Sequence, residues 1–340
     1  MAQLRKDLTS RTWVVIATER GKRPHDFKVP VDERKGESTC PFCPGHEEQT
    51  PPEVLAIGRE NDAPDTPGWK VRVVPNKFPA LSGDAAEPSF QDGPLIQRPG
   101  IGAHEVLVES PDHDSSFGTH SQEQMEQILH AMIQRIKDLR NDNRLQYVQL
   151  FKNSGRKAGA SLEHTHCQLI ATPIIPPVVE EELQCAHFYY EKHSSCVWCD
   201  ILNKAHESGR VVEASPHFAV LCPFASRVPY QVLILPIRHD GEFDELSPDE
   251  LQDLAAVLRR TIRRLEVAFN NPPYNMQWHI SPLQGPGQYD QYFHWHLELL
   301  PRLTIAAGFE LGSGIYINPT APELAAQELR EVKIDAATGI

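Results

Sequence analysis

The sequence predicts an α+β chain in which one unit is used twice, each copy a mainly antiparallel sheet with packed helices. Three observations carry this. Short β-prone runs recur in both halves, each half holds one long amphipathic helix, and four landmarks repeat in the same order at nearly constant offset. His113 to His239 is 126 residues, Ser121 to Ser247 is 126, Tyr147 to Tyr274 is 127 and His164 to His294 is 130. The halves divide as 1–177 and 178–340, joined by a Pro- and Glu-rich stretch over 172–182 in which Glu180, Glu181 and Glu182 read as a solvated charge run.

In the first half, residues 12–17 form a strand that ends in a basic turn through Arg20, Lys22 and Arg23. Cys40-Pro41-Phe42-Cys43 follows, and 60–68 and 82–100, rich in Pro with Asp or Gly, read as loops. Strands are expected over 69–74 and 105–109. Ser121 caps a helix whose apolar residues Met125, Ile128, Leu129, Met132, Ile133, Ile136 and Leu139 keep 3-and-4 spacing. A strand over 147–151 leads into the stretch that carries the chemistry. The second half repeats the order. Cys196-Val197-Trp198-Cys199 precedes a strand over 231–235, and Ser247 starts a helix with Leu251, Leu254, Leu258, Ile262 and Leu265 on one face. That helix stops at Asn270-Asn271-Pro272, and strands over 274–280 and 294–298 complete the set.

Composition excludes some functions. The chain has 340 residues and a formal charge of −13, which argues against a broad nucleic-acid or anionic-membrane surface. A phosphorylated substrate must then meet local cations. The start, Met1 to Asp7, has no apolar core, and no run approaches the roughly 18 apolar residues of a membrane span, so a cytoplasmic protein is expected. Four of the seven cysteines form two Cys-X-X-Cys pairs among many histidines, a pattern that favours metal over disulfides in the cytosol. Cys167 reads as a small packing residue, and Cys185 and Cys222 lack partners.

The organising stretch is Ser161-Leu162-Glu163-His164-Thr165-His166-Cys167-Gln168. On a strand, residues two apart share a face, so His164, His166 and Gln168 point the same way. Upstream, 151–160 is a glycine-containing stretch with lysine and arginine, in which backbone N–H groups around Gly159 can approach an anion. Each half also offers a Cys₂His₂ set suited to zinc: Cys40, Cys43, His113 and His164, then Cys196, Cys199, His239 and His294. A second set in the C-terminal half, Glu182, His279, His294 and His296, remains open, with the cysteine set preferred because the repeat predicts it. With His164 on zinc, His166 is free as a nucleophile towards phosphorus. Gln168, Ser161 and Asn153 can stabilise the charge on the phosphoryl oxygens. The second half has Glu298 where Gln168 stands, and a carboxylate repels phosphate, so the chemistry belongs to the first half.

These residues resemble the galactose-1-phosphate uridylyltransferase branch of the histidine-triad superfamily. The resemblance runs from Arg20-Gly21-Lys22-Arg23-Pro24 through Cys40-Pro41-Phe42-Cys43, Pro75-Asn76-Lys77-Phe78-Pro79 and Ser110-Pro111-Asp112-His113 to the His164–Gln168 motif and Gly308-Phe309-Glu310. It implies a ping-pong nucleotidyl transfer in which His166 attacks UDP-glucose and the nucleotidyl group passes to galactose 1-phosphate. By the same resemblance Arg20, Arg23, Asn76 and Phe78 contact the nucleotide, Asn153, Ser161 and Gln168 the phosphates, and Glu310 the sugar, in a homodimer with sites near its interface. The chain departs from the family motif at Thr165 and Cys167, where Pro and Gly are usual. Its 157–161 and 309–319 stretches are also similar to ADP-glucose phosphorylases, which transfer an adenylyl group from ADP-glucose to phosphate. A zinc-containing nucleotide-binding module without turnover is a further alternative. A histidine-triad hydrolase is disfavoured, because Gln168 stands where such enzymes have a third histidine.

Overall fold

In the computed structural model of the chain, residues 2–22, 36–59, 63–84 and 89–334 are described. The elements are, in chain order, β1 (Gln3–Lys6), β2 (Trp13–Ile16), β3 (Leu55–Ile57), β4 (Val71–Pro75), β5 (Phe90–Asp92), β6 (Leu95–Gln97), β7 (Ala103–Val108), α1 (Gln122–Arg140), β8 (Tyr147–Ser154) and β9 (His166–Thr172). There follow α2 (Pro177–His193), α3 (Val197–Glu207), β10 (Val211–Ala214), β11 (Phe218–Leu221), β12 (Val232–Pro236), α4 (Pro248–Phe269), β13 (Tyr274–His279), β14 (His296–Pro301), α5 (Gly308–Ser313), β15 (Tyr316–Asn318) and α6 (Pro322–Glu331).

The duplication is visible in the sheet. Ten strands form one sheet in the order β10-β11-β12-β14-β13-β8-β9-β7-β4-β3, every neighbouring pair antiparallel. Read outwards from the β8·β13 seam, β8-β9-β7-β4-β3 mirrors β13-β14-β12-β11-β10.

Strand alternation sorts the side chains onto two faces. Val71, Val73, Leu107, Cys167, Leu169 and Ala171, with Val232, Ile234, Leu297 and Leu299, join the main core. That face carries α1 and α4. In α1 the Ser121 hydroxyl accepts from the Gln124 N–H, and Met125, Ile128, Leu129, Met132 and Ile136 are fully buried. Ile133, expected on the same stripe, is half-buried at its edge. In α4 Ser247 and Glu250 form a reciprocal capping box, and Asn270 at φ +55° ends the helix. The opposite face holds two smaller clusters, one per half, each containing a Cys-X-X-Cys pair. α1 and α4 thus cover one side of the sheet, α3 packs on the other in the second half, and the candidate site lies on that other side in the first half.

The structure adds elements that patterning missed. The 82–100 loop contains the β5–β6 hairpin. The supposed linker charge run is the first turns of α2, where Glu182 is buried. Pro177 opens that helix at N1, where its missing N–H costs nothing. β2 pairs in parallel with β15, so the start of the chain joins a three-stranded sheet with a C-terminal strand.

Candidate active site and metal groups

His166 is the first residue of β9, and His164 lies just before it. The His166 Nδ1–H donates to the His164 carbonyl at 2.8 Å, which leaves Nε2 with its lone pair free. Burial pushes the imidazole below its ordinary pKa and keeps it neutral. The Phe42 ring stands 5.4 Å away, edge-on. Two positions along the strand, the Gln168 Oε1 accepts from the His104 Nε2–H at 3.0 Å, while His104 Nδ1 accepts from the Ala80 N–H at 3.2 Å. With its oxygen engaged, the Gln168 amide has its N–H₂ end to offer. Asn76 Nδ2 lies 3.2 Å from the same His104 nitrogen.

Gly159 adopts φ +93°, a backbone shape that favours glycine, and a Cβ there would come within 3.8 Å of the Asn153 amide. Asn153 Oδ1 accepts from Asn275 Nδ2 at 2.6 Å across the seam. Ser161 and Phe78 are exposed, Phe78 at 84%. Arg20 is exposed beyond β2, and Glu310 lies on α5, where its carboxylate accepts from the Ala307 N–H. No described hydrogen bond, ion pair or ring contact joins either residue to His166 within one chain. Arg23 lies outside the described residues. Lys152, in the stretch expected to bind anions, turns inward to Glu109.

Four donor atoms from Cys40, Cys43, His113 and His164 lie within 4.8 Å of one another, and the same holds for Cys196, Cys199, His239 and His294. In the first group sulfur-to-Nδ1 distances are 3.3 to 3.6 Å; in the second Cys199 lies 3.5 and 3.7 Å from the two histidines. A tetrahedral zinc with Zn–S about 2.3 Å and Zn–N about 2.0 Å separates these donors by about 3.5 Å. Both groups can therefore hold a metal ion. His164 Nε2–H donates to the Ser110 carbonyl at 2.7 Å and His239 Nε2–H to the Asp290 carbonyl, the outer bonds that fix a ligand ring. Burial, with Cys40 beside it, pushes the Cys43 thiol up to about 12, and a cation among the donors reverses that. Glu182, His279 and His296 also converge, without His294.

The counterpart of the His166 strand is differently surrounded. His296 Nδ1–H donates to the His294 carbonyl at 3.0 Å, as in the first half. Its ring, however, lies between Trp198 at 3.9 Å and His279 at 4.5 Å. Glu298 accepts from Arg227 and, at 2.6 Å, from Gln231. A cavity of about 1000 Å³ lies over this half, lined by His279, His296, Glu298 and Arg227 among others. Volume does not make it the reaction site, because a buried carboxylate replaces the amide donor.

Two residues of the first half escaped the sequence reading, His104 and Glu109, and Lys152, expected in an anion-binding stretch, serves Glu109 instead. Each stands outside the His164–Gln168 stretch, and only strand pairing brings it there. Comparison with known proteins agrees with this geometry. The family model described as galactose-1-phosphate uridyl transferase, N-terminal domain, matches residues 2–176, and a domain-of-unknown-function model matches 104–335. The chain is similar to an ADP-glucose phosphorylase of Arabidopsis thaliana, 36% identical over 98% of this chain and 93% of that protein. It is similar to a galactose-1-phosphate uridylyltransferase of Thermotoga maritima, 30% identical over 98% of this chain and all of that one. The solved structure of an Arabidopsis thaliana ADP-glucose phosphorylase with bound ADP-glucose superposes with a TM-score of 0.85 at 34% identity, covering 98% of this chain and all of that one. The chain belongs to the galactose-1-phosphate uridyl transferase family and is a nucleotidyltransferase.

Proposed function

We propose that His166 is the nucleophile of a two-step nucleotidyl transfer from a nucleotide-sugar to a phosphate-bearing acceptor. The observation that carries this is the free Nε2 of a neutral, buried imidazole whose Nδ1–H is tied to the His164 carbonyl. Nε2 attacks the α-phosphorus and a P–N bond forms. The bond to the bridging oxygen breaks, and the sugar 1-phosphate leaves with that oxygen. An oxygen of the acceptor phosphate then attacks the same phosphorus and returns the imidazole. The Gln168 amide N–H₂ is directed at a non-bridging oxygen, with Asn153, Ser161 and the backbone around Gly159 alongside.

Asn76 and Phe78 are assigned to the nucleotide. Arg20, Arg23 and Glu310 are assigned to the nucleotide and sugar of a neighbouring subunit's site. Arg20 just after β2 and Glu310 on α5 just before β15 lie beside the same parallel strand pair, which supports grouping the two. Both Cys₂His₂ groups are assigned to zinc. Bound there, zinc supplies structural cross-linking, since four protein ligands leave no open position. A cytoplasmic setting is supported by the seven unpaired cysteines. No helix among the described residues is long and apolar enough to cross a membrane.

Of two donor–acceptor pairs, the greater likeness, 36% against 30%, favours ADP-glucose with inorganic phosphate. UDP-glucose with galactose 1-phosphate is the second reading, supported by the family model. A paired assay with products read by mass separates them. ADP and glucose 1-phosphate in one tube, or UDP-galactose in the other, names the reaction. Silence in both overturns the proposal.

A further inference from the structure

We propose that Glu109, held by Lys152, is a positioning residue for His166, gripping the nucleophile's strand through Thr165 on one side and Cys167 on the other. Glu109 follows β7 and is 0% exposed. Its backbone N–H donates to the Thr165 carbonyl at 3.3 Å. The Thr165 hydroxyl donates to Glu109 Oε2, and the Cys167 thiol donates to Oε1 at 3.0 Å. Lys152 Nζ spends its donors on Glu109 Oε1 at 2.6 Å, Thr165 Oγ1 at 2.9 Å and the His166 carbonyl at 3.4 Å. His120 Nε2 stands 3.6 Å from Oε2. A buried ion pair is costly unless its donors and acceptors are all engaged. Here they are engaged on the two residues flanking the nucleophile and on its own carbonyl.

The second half supplies an internal control. Gln168 pairs with Val106 and Phe151, and Glu298 pairs with Leu233 and Gln277. Counting from those matches, Glu109, Lys152, Thr165 and Cys167 correspond to Pro236, Trp278, Trp295 and Leu297. All four polar groups are gone from the half that carries Glu298.

The inference rests on His166 as nucleophile and is tested in the full chain. Thr165→Val and Cys167→Ala each remove one grip while leaving Glu109 paired with Lys152. The readouts are the single-turnover rate and amplitude of His166 nucleotidylation, with ADP-glucose and with UDP-glucose, and the ring tautomer by ¹⁵N NMR. In Thr165→Val the rate should fall by about tenfold at unchanged amplitude and metal content. The ring should lose its uniform Nδ1–H form, and Thr165→Ser should restore both. A merely structural role lowers amplitude and thermal midpoint and leaves the rate per active site unchanged, an outcome that overturns the proposal. Absence of a nucleotidyl-enzyme in the parent chain would remove the nucleophile reading instead, and the tautomer comparison then decides the positioning role by itself.

Discussion

The backbone carbonyl of His164 accepts the Nδ1–H of His166, while the ring of the same His164 faces the Cys40 and Cys43 sulfurs at 3.6 and 3.5 Å. One residue therefore ties the candidate metal group to the proposed nucleophile. Removing a ligand of this group should disturb chemistry as well as folding. Cys40→Ser is expected to lose about one metal ion per chain, to melt lower by roughly 5 °C or more and to transfer nucleotide poorly. Cys199→Ser should lose a metal ion with its transfer rate largely kept. Metal analysis beside steady-state kinetics checks both, and equal loss of activity would disprove the separation.

His166→Gly removes the nucleophile and leaves every metal donor in place. Turnover should fall by at least about 10⁴-fold, with metal content unchanged. Activity near that of the parent would end the assignment.

Glu298 is buried against Arg227 and Gln231 on the counterpart strand. Glu298→Gln leaves Arg227 without its carboxylate partner. Because the arginine side chain is 30% exposed, the cost should be about 1–3 kcal/mol rather than the full penalty of a buried charge. Denaturant midpoints read this loss. The transfer rate should stay within about twofold, since the proposed nucleophile lies in the other half.

Glu53 gives a pH dependence. Burial acts to raise its pKa, but hydrogen bonds from Arg59 and Arg72 hold it down at about 2. The folded state thus binds a proton on Glu53 less readily than the unfolded chain does, whose ordinary value is 4.5. This stabilisation is complete above about pH 4.5 and is lost as the pH falls through about 2. Glu53→Gln should be less stable than the parent at pH 7, and the gap should close between those limits. A gap independent of pH would show that the carboxylate's charge is not what matters.

Much of this was legible because the signals were periodic or repeated. Ser121 and Ser247 each precede a long apolar stripe, and both cap the helices they announce. The Cys₂His₂ groups could be read because the histidines repeat at 126 and 130 residues and each half holds one Cys-X-X-Cys, although the cysteine pairs themselves lie 156 residues apart. Glu182 was legible two ways, as part of a solvated glutamate run and in an open ligand set with His279; the run reading fails, because Glu182 is buried and bonded to His279 at 2.9 Å, 97 positions away. His104 and Glu109 were missed, and Lys152 was placed in an anion-binding stretch, for the same reason. Each looks like an ordinary strand residue until β7, β8 and β9 are laid side by side.

The seam at the middle of the sheet has a consequence for synthesis. β8 pairs with β13 in a register that sets Ser154 against Tyr274, 120 residues later. A ribosome adding roughly 5–20 residues per second needs roughly 6–24 s to cover that interval. Throughout it the nascent first half presents β8 as an open edge, the kind of surface that recruits a strand from another chain. Slow translation between the halves should therefore lower yield more than slow translation after Tyr274.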